Sequence, residues 1–207
     1  MKPSLITSVC LLLIAGACAN AADFKPDDQG YIRNWLLLDP FELDDNAMDH
    51  SESSEKPFFV KEFFPGEFKP APKEGDKVKI EGKGEVTWKA VETDSAVLKF
   101  DAKDKSMYLA VVYVTSPNEV PGATLSIGSD DSSCWRVNGT EVLTVYAGRA
   151  AEPDSDKSRP FTLVKGTNVI FASVINGDGD SGLSARILDK SDQPVKQVTI
   201  SLIPPKP

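Results

Sequence analysis

A succession of short β-prone segments, separated by turn residues, is the sequence feature that most restricts the fold of this chain. The segments after residue 74 are rich in Val, Ile, Thr and aromatic residues, and Gly, Pro, Asn or Asp stands between most of them. They are DKVKIEG, EVTWKAV, SAVLKFD, SMYLAVVYVTS, GATLSIG, SCWRV, TEVLTVY, RPFTLVKG, TNVIFASVING, LSARILD and VKQVTISLI. Many short strands at such spacing are typical of an antiparallel sandwich or barrel. We therefore predict an all-β, antiparallel fold.

Local signals in the same region indicate strands joined by tight turns. In VNGTEV, Asn138 and Gly139 can both adopt positive φ, as a two-residue type I′ hairpin requires. No stretch of twelve or more residues beyond the leader has helical periodicity. Because there is no internal repeat or linker, we predict one domain, in which residues 22–74 (N-terminal strand, acidic loop and Phe-rich flap) join a main sandwich over residues 75–207.

Residues 1–21 have the pattern of a secretory signal peptide. Lys2 precedes an apolar run that is too short to span a bilayer comfortably, and small residues follow at A-x-A spacing. Cleavage is predicted after Ala19 or Ala21. The sequence AGAC also resembles a lipoprotein signal with Cys18 as the lipidated residue, which is the alternative. We predict export to the periplasm or the medium, with no transmembrane segment.

Cysteine content and charge exclude several classes of protein. The soluble mature form keeps only Cys134, so it has no internal disulfide and depends on its core for stability. The chain has 31 acidic and 23 basic residues and a formal charge of -8, which disfavours nucleic acid and anionic membranes as partners. The single histidine, His50, disfavours His-based catalysis and most zinc sites. We predict that the protein is not an enzyme.

Three segments precede the main sandwich. YIRNWLLLDPF (residues 31–41) predicts a strand that stops at Pro40. ELDDNAMDHSESSE (residues 42–55) has six acidic residues and no Lys or Arg, which predicts a solvated loop. KPFFVKEFFPGEFKPAP contains five Phe, whose rings are predicted to cover one edge of the core, because monomers rarely expose large apolar patches. The alternative is an exposed surface for a protein partner.

Several motifs together resemble galactose-binding-like, jelly-roll β-sandwich domains of secreted bacterial proteins. The motifs are YIRNWLLLDPF, GEVTWKAV, YLAVVYVTSP, LSIGSDDSSCWRVNGTEV and FTLVKGTNVIFASVINGDGDSGLSARILD, within residues 31–195. The resemblance implies a jelly-roll sandwich. Related domains, such as the protective-antigen type, bind glycans, in some cases through calcium held by paired aspartates. The chain departs from the family pattern at Ser132, where Gly is usual, and at Arg136, where Trp is usual; Trp135 stands one place earlier, and such a shift moves a side chain to the opposite face.

Two acidic turns contain the candidate metal ligands. An Asp pair between two apolar runs is predicted to form the turn of a β-hairpin, where its carboxylates either accept backbone N–H groups, as in an Asx-type turn, or bind a hard cation. NGDGDSG (residues 176–182) alternates Asn and Asp as calcium loops do, or is a simple turn. It is not an EF-hand, because Ser181 and Ile187 occupy the Gly and Glu positions. The candidate metal ligands are Asp130, Asp131, Asn176, Asp178 and Asp180.

Two further residues are candidates for sugar recognition. Trp135 could stack on a sugar ring, although a Trp in an apolar strand is usually buried. Arg149, in the loop YAGRAAEPDSD, could bond hydroxyl groups or remain solvated. The candidate ligand-binding residues are Asp130, Asp131, Trp135 and Arg149.

The predicted function is carbohydrate binding at the loop ends, with Ca²⁺ as a candidate cofactor. No nucleophile elbow, His-metal motif or Cys–His pair is present, so no catalytic residue is predicted. The alternatives are a structural or adhesion subunit that contacts another exported protein through the Phe-rich segment, and a small glycoside hydrolase. Fold resemblance alone does not decide among these functions.

Overall fold

A computed structural model describes residues 23–43 and 49–205. The predicted leader at residues 1–21, with its cleavage sites and Cys18, lies outside the described residues, and so does the part of the acidic loop at residues 44–48. Signal-peptide function, export and the domain boundaries stay predictions.

Two antiparallel sheets form a β-sandwich, as the sequence predicts. The first sheet contains, in spatial order, β2 (Lys77–Ile80), β3 (Gly84–Glu92), β1 (Asn34–Glu42), β5 (Ser106–Ser116), β11 (Gly166–Asn176), β7 (Ser132–Val137) and β8 (Thr140–Val145), and β13 (Thr199–Ser201) also pairs with β5. The second contains β10 (Phe161–Leu163), β6 (Val120–Asp130), β12 (Gly182–Leu188) and β4 (Leu98–Lys99), and β9 (Asp156–Lys157) also pairs with β6.

The predicted strand segments agree with these elements, with differences at the ends. The two-residue hairpin is confirmed: Asn138 and Gly139 have φ values of 52° and 79° between β7 and β8. The predicted stop at Pro40 is wrong, because β1 continues to Glu42. The register of β1 against β5 shifts between Leu38 and Phe41, and such a bulge tolerates a proline that has no N–H to donate.

The first sheet is buried on both faces. Along β5, Tyr108 and Val112 belong to the cluster between the two sheets, whereas Leu109 and Tyr113 belong to a second cluster on the outer face. This double burial explains why SMYLAVVYVTS is a continuous apolar run rather than an alternating one.

The Phe-rich flap covers this outer face. Phe59 is 2% exposed, and the other four Phe rings of the flap are partly buried against the second cluster. The prediction that these rings cover the core is therefore confirmed, although they cover a face rather than an edge. The alternative, an exposed aromatic surface for a partner, is wrong for this conformation. The large hydrophobic residues exposed within the described chain are Val60, Val164 and Ile203.

A short helix, α1 (Glu52–Phe59), lies where the sequence predicts a solvated loop followed by the flap. The Ser51 side chain accepts a hydrogen bond from the Ser54 backbone N–H at 3.3 Å and caps the N-terminus. Acidic residues in the first turn also stabilise this end of the helix. Eight residues are too few for a periodic pattern, so the helix was not predicted. Within the described part of the chain, no helix combines the length and hydrophobicity that a membrane span requires.

Arg136 attaches the flap to the outer face of the first sheet. Its guanidinium carbon lies 4.0 Å from the centroid of the Phe68 ring, and Nη2 donates to the Phe59 carbonyl at 2.6 Å. Glu67, which is 1% exposed, lies in the same region, and its carboxylate accepts the Phe63 backbone N–H at 2.6 Å. Burial raises the pKa of Glu67 from 4.5 to about 7, and the nearby Arg136 charge opposes the increase.

Glu67 is expected to make stability depend on pH. Because the folded-state pKa of Glu67 is raised, the stability that Glu67 contributes is fully present below pH 4.5 and is lost as pH rises through about 7. The loss amounts to roughly 3 kcal/mol. Glu67→Gln should flatten the plot of unfolding free energy against pH between 4.5 and about 7, measured by urea denaturation. Glu119→Gln, at an exposed position in the turn between β5 and β6, is the control. Parallel profiles for wild type and Glu67→Gln would contradict the assignment.

Candidate functional site at one rim of the sandwich

The Asp130–Asp131 pair lies where the chain crosses from one sheet to the other. Asp130 ends β6 in the second sheet, and Ser132 begins β7 in the first sheet. The peptide bond between the two aspartates is cis. The prediction that the pair forms a hairpin turn is therefore wrong, because the adjoining strands belong to different sheets. The crossing places Asp131 at the rim of the sandwich.

The Asp131 carboxylate joins the crossing to two loops. Oδ1 accepts the backbone N–H of Arg149 at 2.8 Å, in the loop after β8. Oδ2 accepts the backbone N–H of Gly177 at 2.9 Å, in the loop after β11. The Asp131 N–H donates to the Ile175 carbonyl at 3.1 Å. Of the two roles that the sequence allows for Asp131, these bonds to backbone N–H groups match the Asx-type role rather than a cation site.

A cleft of about 530 Å³ lies above Asp131. It is lined by His50, Asp104, Lys105, Asp131, Gly148, Arg149, Gly177 and Asp178. Carboxylates, cationic side chains and glycine backbone therefore share one small space. Five separate segments of the sequence contribute to it, which makes it the best-defined candidate site at this rim.

His50 enters the cleft from the segment before α1. Its Nδ1 lies 3.0 Å from Glu55 Oε1, and its Nε2 lies 3.7 Å from Asp131 Oδ2. Glu55 is fully buried, and this burial raises its pKa above the ordinary value, while His50 acts in the opposite direction. The imidazole thus stands between two carboxylates.

Arg149 is a positioning residue in this arrangement. Its Nε donates to the Ser129 carbonyl at 3.2 Å, and Nη2 pairs with Asp156 on β9. These partners engage Nε and Nη2 and hold the side chain in the wall of the cleft. A role of Arg149 in bonding a ligand stays a prediction. Its backbone N–H holds Asp131, as described above.

Asp130 does not line the cleft. Its carbonyl oxygen accepts the Ser181 hydroxyl at 2.9 Å, and its side chain is almost buried. Burial, followed by the charge of Asp131, raises the pKa of Asp130 to about 6. The two adjacent carboxyl groups therefore have different surroundings.

The five candidate metal ligands do not converge in this conformation. Asp131 and Asp178 line the cleft, while the Asp180 side chain is 84% exposed and 3.8 Å from Lys99 Nζ. Asn176 is buried, and its Nδ2 donates to the Lys103 carbonyl at 3.0 Å. Among the residues described, no group of three or more His, Cys, Asp or Glu side chains is arranged to hold a metal ion.

Calcium requires six to eight oxygen ligands, and each Asp131 oxygen already accepts a backbone N–H. This arrangement does not fit a calcium ion held by the predicted set. Calcium binding stays a prediction.

Trp135 is not available to a ligand. Its side chain is 0% exposed, and Nε1 donates to the Ser133 hydroxyl at 2.9 Å. Its ring packs edge-on against Trp35, with centroids 6.3 Å apart. This corrects the assignment of Trp135 as a ligand-binding residue: its strand position faces the core between the sheets, and Arg136 faces the flap. Trp35 and Trp88 are also buried.

Sequence reasoning missed His50, Asp104, Lys105, Gly148 and Gly177 as lining residues. Asp104 and Lys105 lie in the turn before β5, and the Lys105 N–H donates to the Gly177 carbonyl at 2.9 Å. No local motif marks His50, Asp104, Lys105 or Gly148, whereas Gly177 lies within NGDGDSG. The one available signal was a single histidine within an acidic segment.

Comparisons with known proteins found structural likeness only. No protein-family model and no curated protein matches the sequence. An anti-sigma factor domain-containing protein from Clostridium clariflavum is similar with a TM-score of 0.42 and 10% identity, over 79% of this chain and 45% of that chain. The chain thus spans less than half of that structure.

Two shorter structures are covered almost completely. The PA14 domain of the antifreeze protein MpAFP is similar with a TM-score of 0.45 and 14% identity, over 83% of this chain and 92% of that chain. The Epithelial Adhesin 9 A domain from Candida glabrata, in complex with Galb1-3GlcNAc, has a TM-score of 0.44 and 8% identity, over 86% and 93%. At these values no binding residue is transferred to this chain.

Proposed function

We propose that this protein binds carbohydrate, without catalysis, in the cleft above Asp131. The cleft carries the proposal: its volume of about 530 Å³ lies within the roughly 300–1,000 Å³ typical of small-ligand pockets. Apart from His50, its lining residues lie in the loops that begin or end β5, β6, β8 and β11.

The lining suits a neutral sugar. Sugar hydroxyl groups donate hydrogen bonds, and the cleft offers carboxylate acceptors at Asp104 and Asp178. The Asp131 carboxylate and the Arg149 backbone hold the walls in place. A strongly anionic ligand would meet like charges on Asp104, Asp131 and Asp178.

The experiment is a glycan-array screen of the purified protein, with calcium and with a chelator, followed by calorimetry on the strongest glycan. Asp178→Asn should weaken binding about tenfold, the loss of roughly 1.4 kcal/mol from one hydrogen bond to a charged group. Asp180→Asn is the matched control, because it lies in the same loop but is 84% exposed and does not line the cleft. Equal affinities for the two variants would contradict the cleft assignment.

The same screen separates the alternatives. Binding that needs calcium would support the predicted metal ligands. Absence of binding under both conditions would favour a structural or assembly role. Release of reducing ends from a bound glycan would favour hydrolysis, which requires two suitably spaced carboxyl groups.

A further inference from the structure

The His50 ring occupies a slot between the two loops that form the walls of the cleft. A Cβ atom at Gly148 would lie 2.7 Å from His50 Cδ2, and one at Gly177 would lie 2.8 Å from His50 Nε2. Neither glycine has a positive φ, so the backbone conformation does not require glycine at these positions. Glycine is required at both positions because the imidazole fills the space that a Cβ atom would occupy.

The slot lies directly against Asp131. A Cβ at Gly177 would be 3.4 Å from Asp131 Oδ2, the same oxygen that lies 3.7 Å from His50 Nε2. The imidazole therefore covers the side of the carboxylate that faces the cleft. A ligand that reaches this oxygen has to take the place of the ring.

The ring is held mainly by its own segment, residues 49–55, which we call the strap. Its hydrogen bond is to Glu55, five residues further along the chain, whereas the Asp131 contact at 3.7 Å exceeds hydrogen-bond length. Ser51 donates to Asp49 within the same segment at 2.8 Å. Beyond the strap, Phe59 is buried and its carbonyl accepts Arg136 Nη2. Glu55, the last residue of the strap, is itself fully buried. The strap is thus anchored at Glu55 and, through α1, at Phe59, so the slot opens when the His50 side chain leaves it and gives up its bond to Glu55.

We infer that the His50 side chain closes the Asp131 site, and that a ligand gains access to Asp131 when the imidazole leaves the slot. This inference rests on the proposed function for the identity of the ligand, but not for the closure itself. A closed resting state lowers the apparent affinity by the fraction of molecules that are open. His50 therefore controls the access of a ligand to Asp131.

His50→Gly is the variant that tests the inference. His50 has a φ of 54°, a conformation that glycine adopts readily, so the variant is expected to fold. Free imidazole is the probe for the slot. It should raise the melting temperature of His50→Gly and leave wild type unchanged, because the wild-type slot is filled. Glu52→Ala, an exposed position on α1, is the control that should also show no response.

The second measurement is the affinity of His50→Gly and wild type for the strongest glycan of the array. Removal of the ring should tighten binding about tenfold. In NMR spectra of the wild-type protein, saturation with that glycan should shift the resonances of His50, the single histidine.

The outcomes separate the two proposals. Imidazole binding without glycan binding would retain the closure and reject carbohydrate as the ligand. Glycan binding that is equal or weaker in His50→Gly would retain carbohydrate binding and overturn the closure. A His50→Gly protein that does not respond to imidazole would also overturn it.

Discussion

Trp135→Ala is expected to lower the free energy of unfolding by about 3–5 kcal/mol, the usual cost of removing a large buried aromatic side chain. The indole is fully buried between the two sheets and packs at 74° against Trp35. The substitution also leaves the Ser133 hydroxyl without the donor at 2.9 Å. Denaturation in guanidinium chloride, followed by far-ultraviolet circular dichroism, measures the effect.

A matched control distinguishes burial from ligand contact. Val60→Ala, at a position that is 57% exposed, should change the unfolding free energy by less than about 0.5 kcal/mol. Trp135→Phe keeps most of the apolar volume and should fall between the two. A Trp135→Ala protein with wild-type stability and reduced glycan binding would show that Trp135 is a stacking platform after all.

The strands could be predicted from the sequence because burial imposes local patterns. The alternation of DKVKIEG corresponds to β2, and the Asn138–Gly139 pair specifies the β7–β8 hairpin through its positive φ values. The continuous apolar run of β5 predicted a strand but not its two buried faces. That feature depends on the flap, whose five Phe rings cover the outer face from elsewhere in the chain.

The site was less predictable because its residues meet only after folding. The sequence marks Asp131 as one of an adjacent acidic pair. The sheet that the next strand, β7, joins is decided by its long-range pairing with β11. His50 and Gly148 are almost a hundred residues apart, and neither belongs to a motif. The close approach of their atoms at 2.7 Å could be recognised only from coordinates.

Asp131→Ala is expected to destabilise the fold by about 2–4 kcal/mol, because two backbone N–H groups lose a charged acceptor at the rim. Those groups belong to Arg149 and Gly177, at 2.8 and 2.9 Å from the carboxylate. The loops after β8 and β11 would then lose their common attachment, and amide hydrogen exchange should increase in both. Urea denaturation gives the change in unfolding free energy.

Two further variants make the result specific to the carboxylate bonds. Asp180→Ala removes an acidic side chain that is 84% exposed and should change stability by less than about 0.5 kcal/mol. Asp131→Asn keeps one amide oxygen as an acceptor but presents an NH₂ group to the other N–H, so an intermediate loss is expected. If Asp131→Ala and Asp180→Ala were equally stable, the carboxylate would not join the loops, and Asp131 would be free to act mainly as a ligand-binding group.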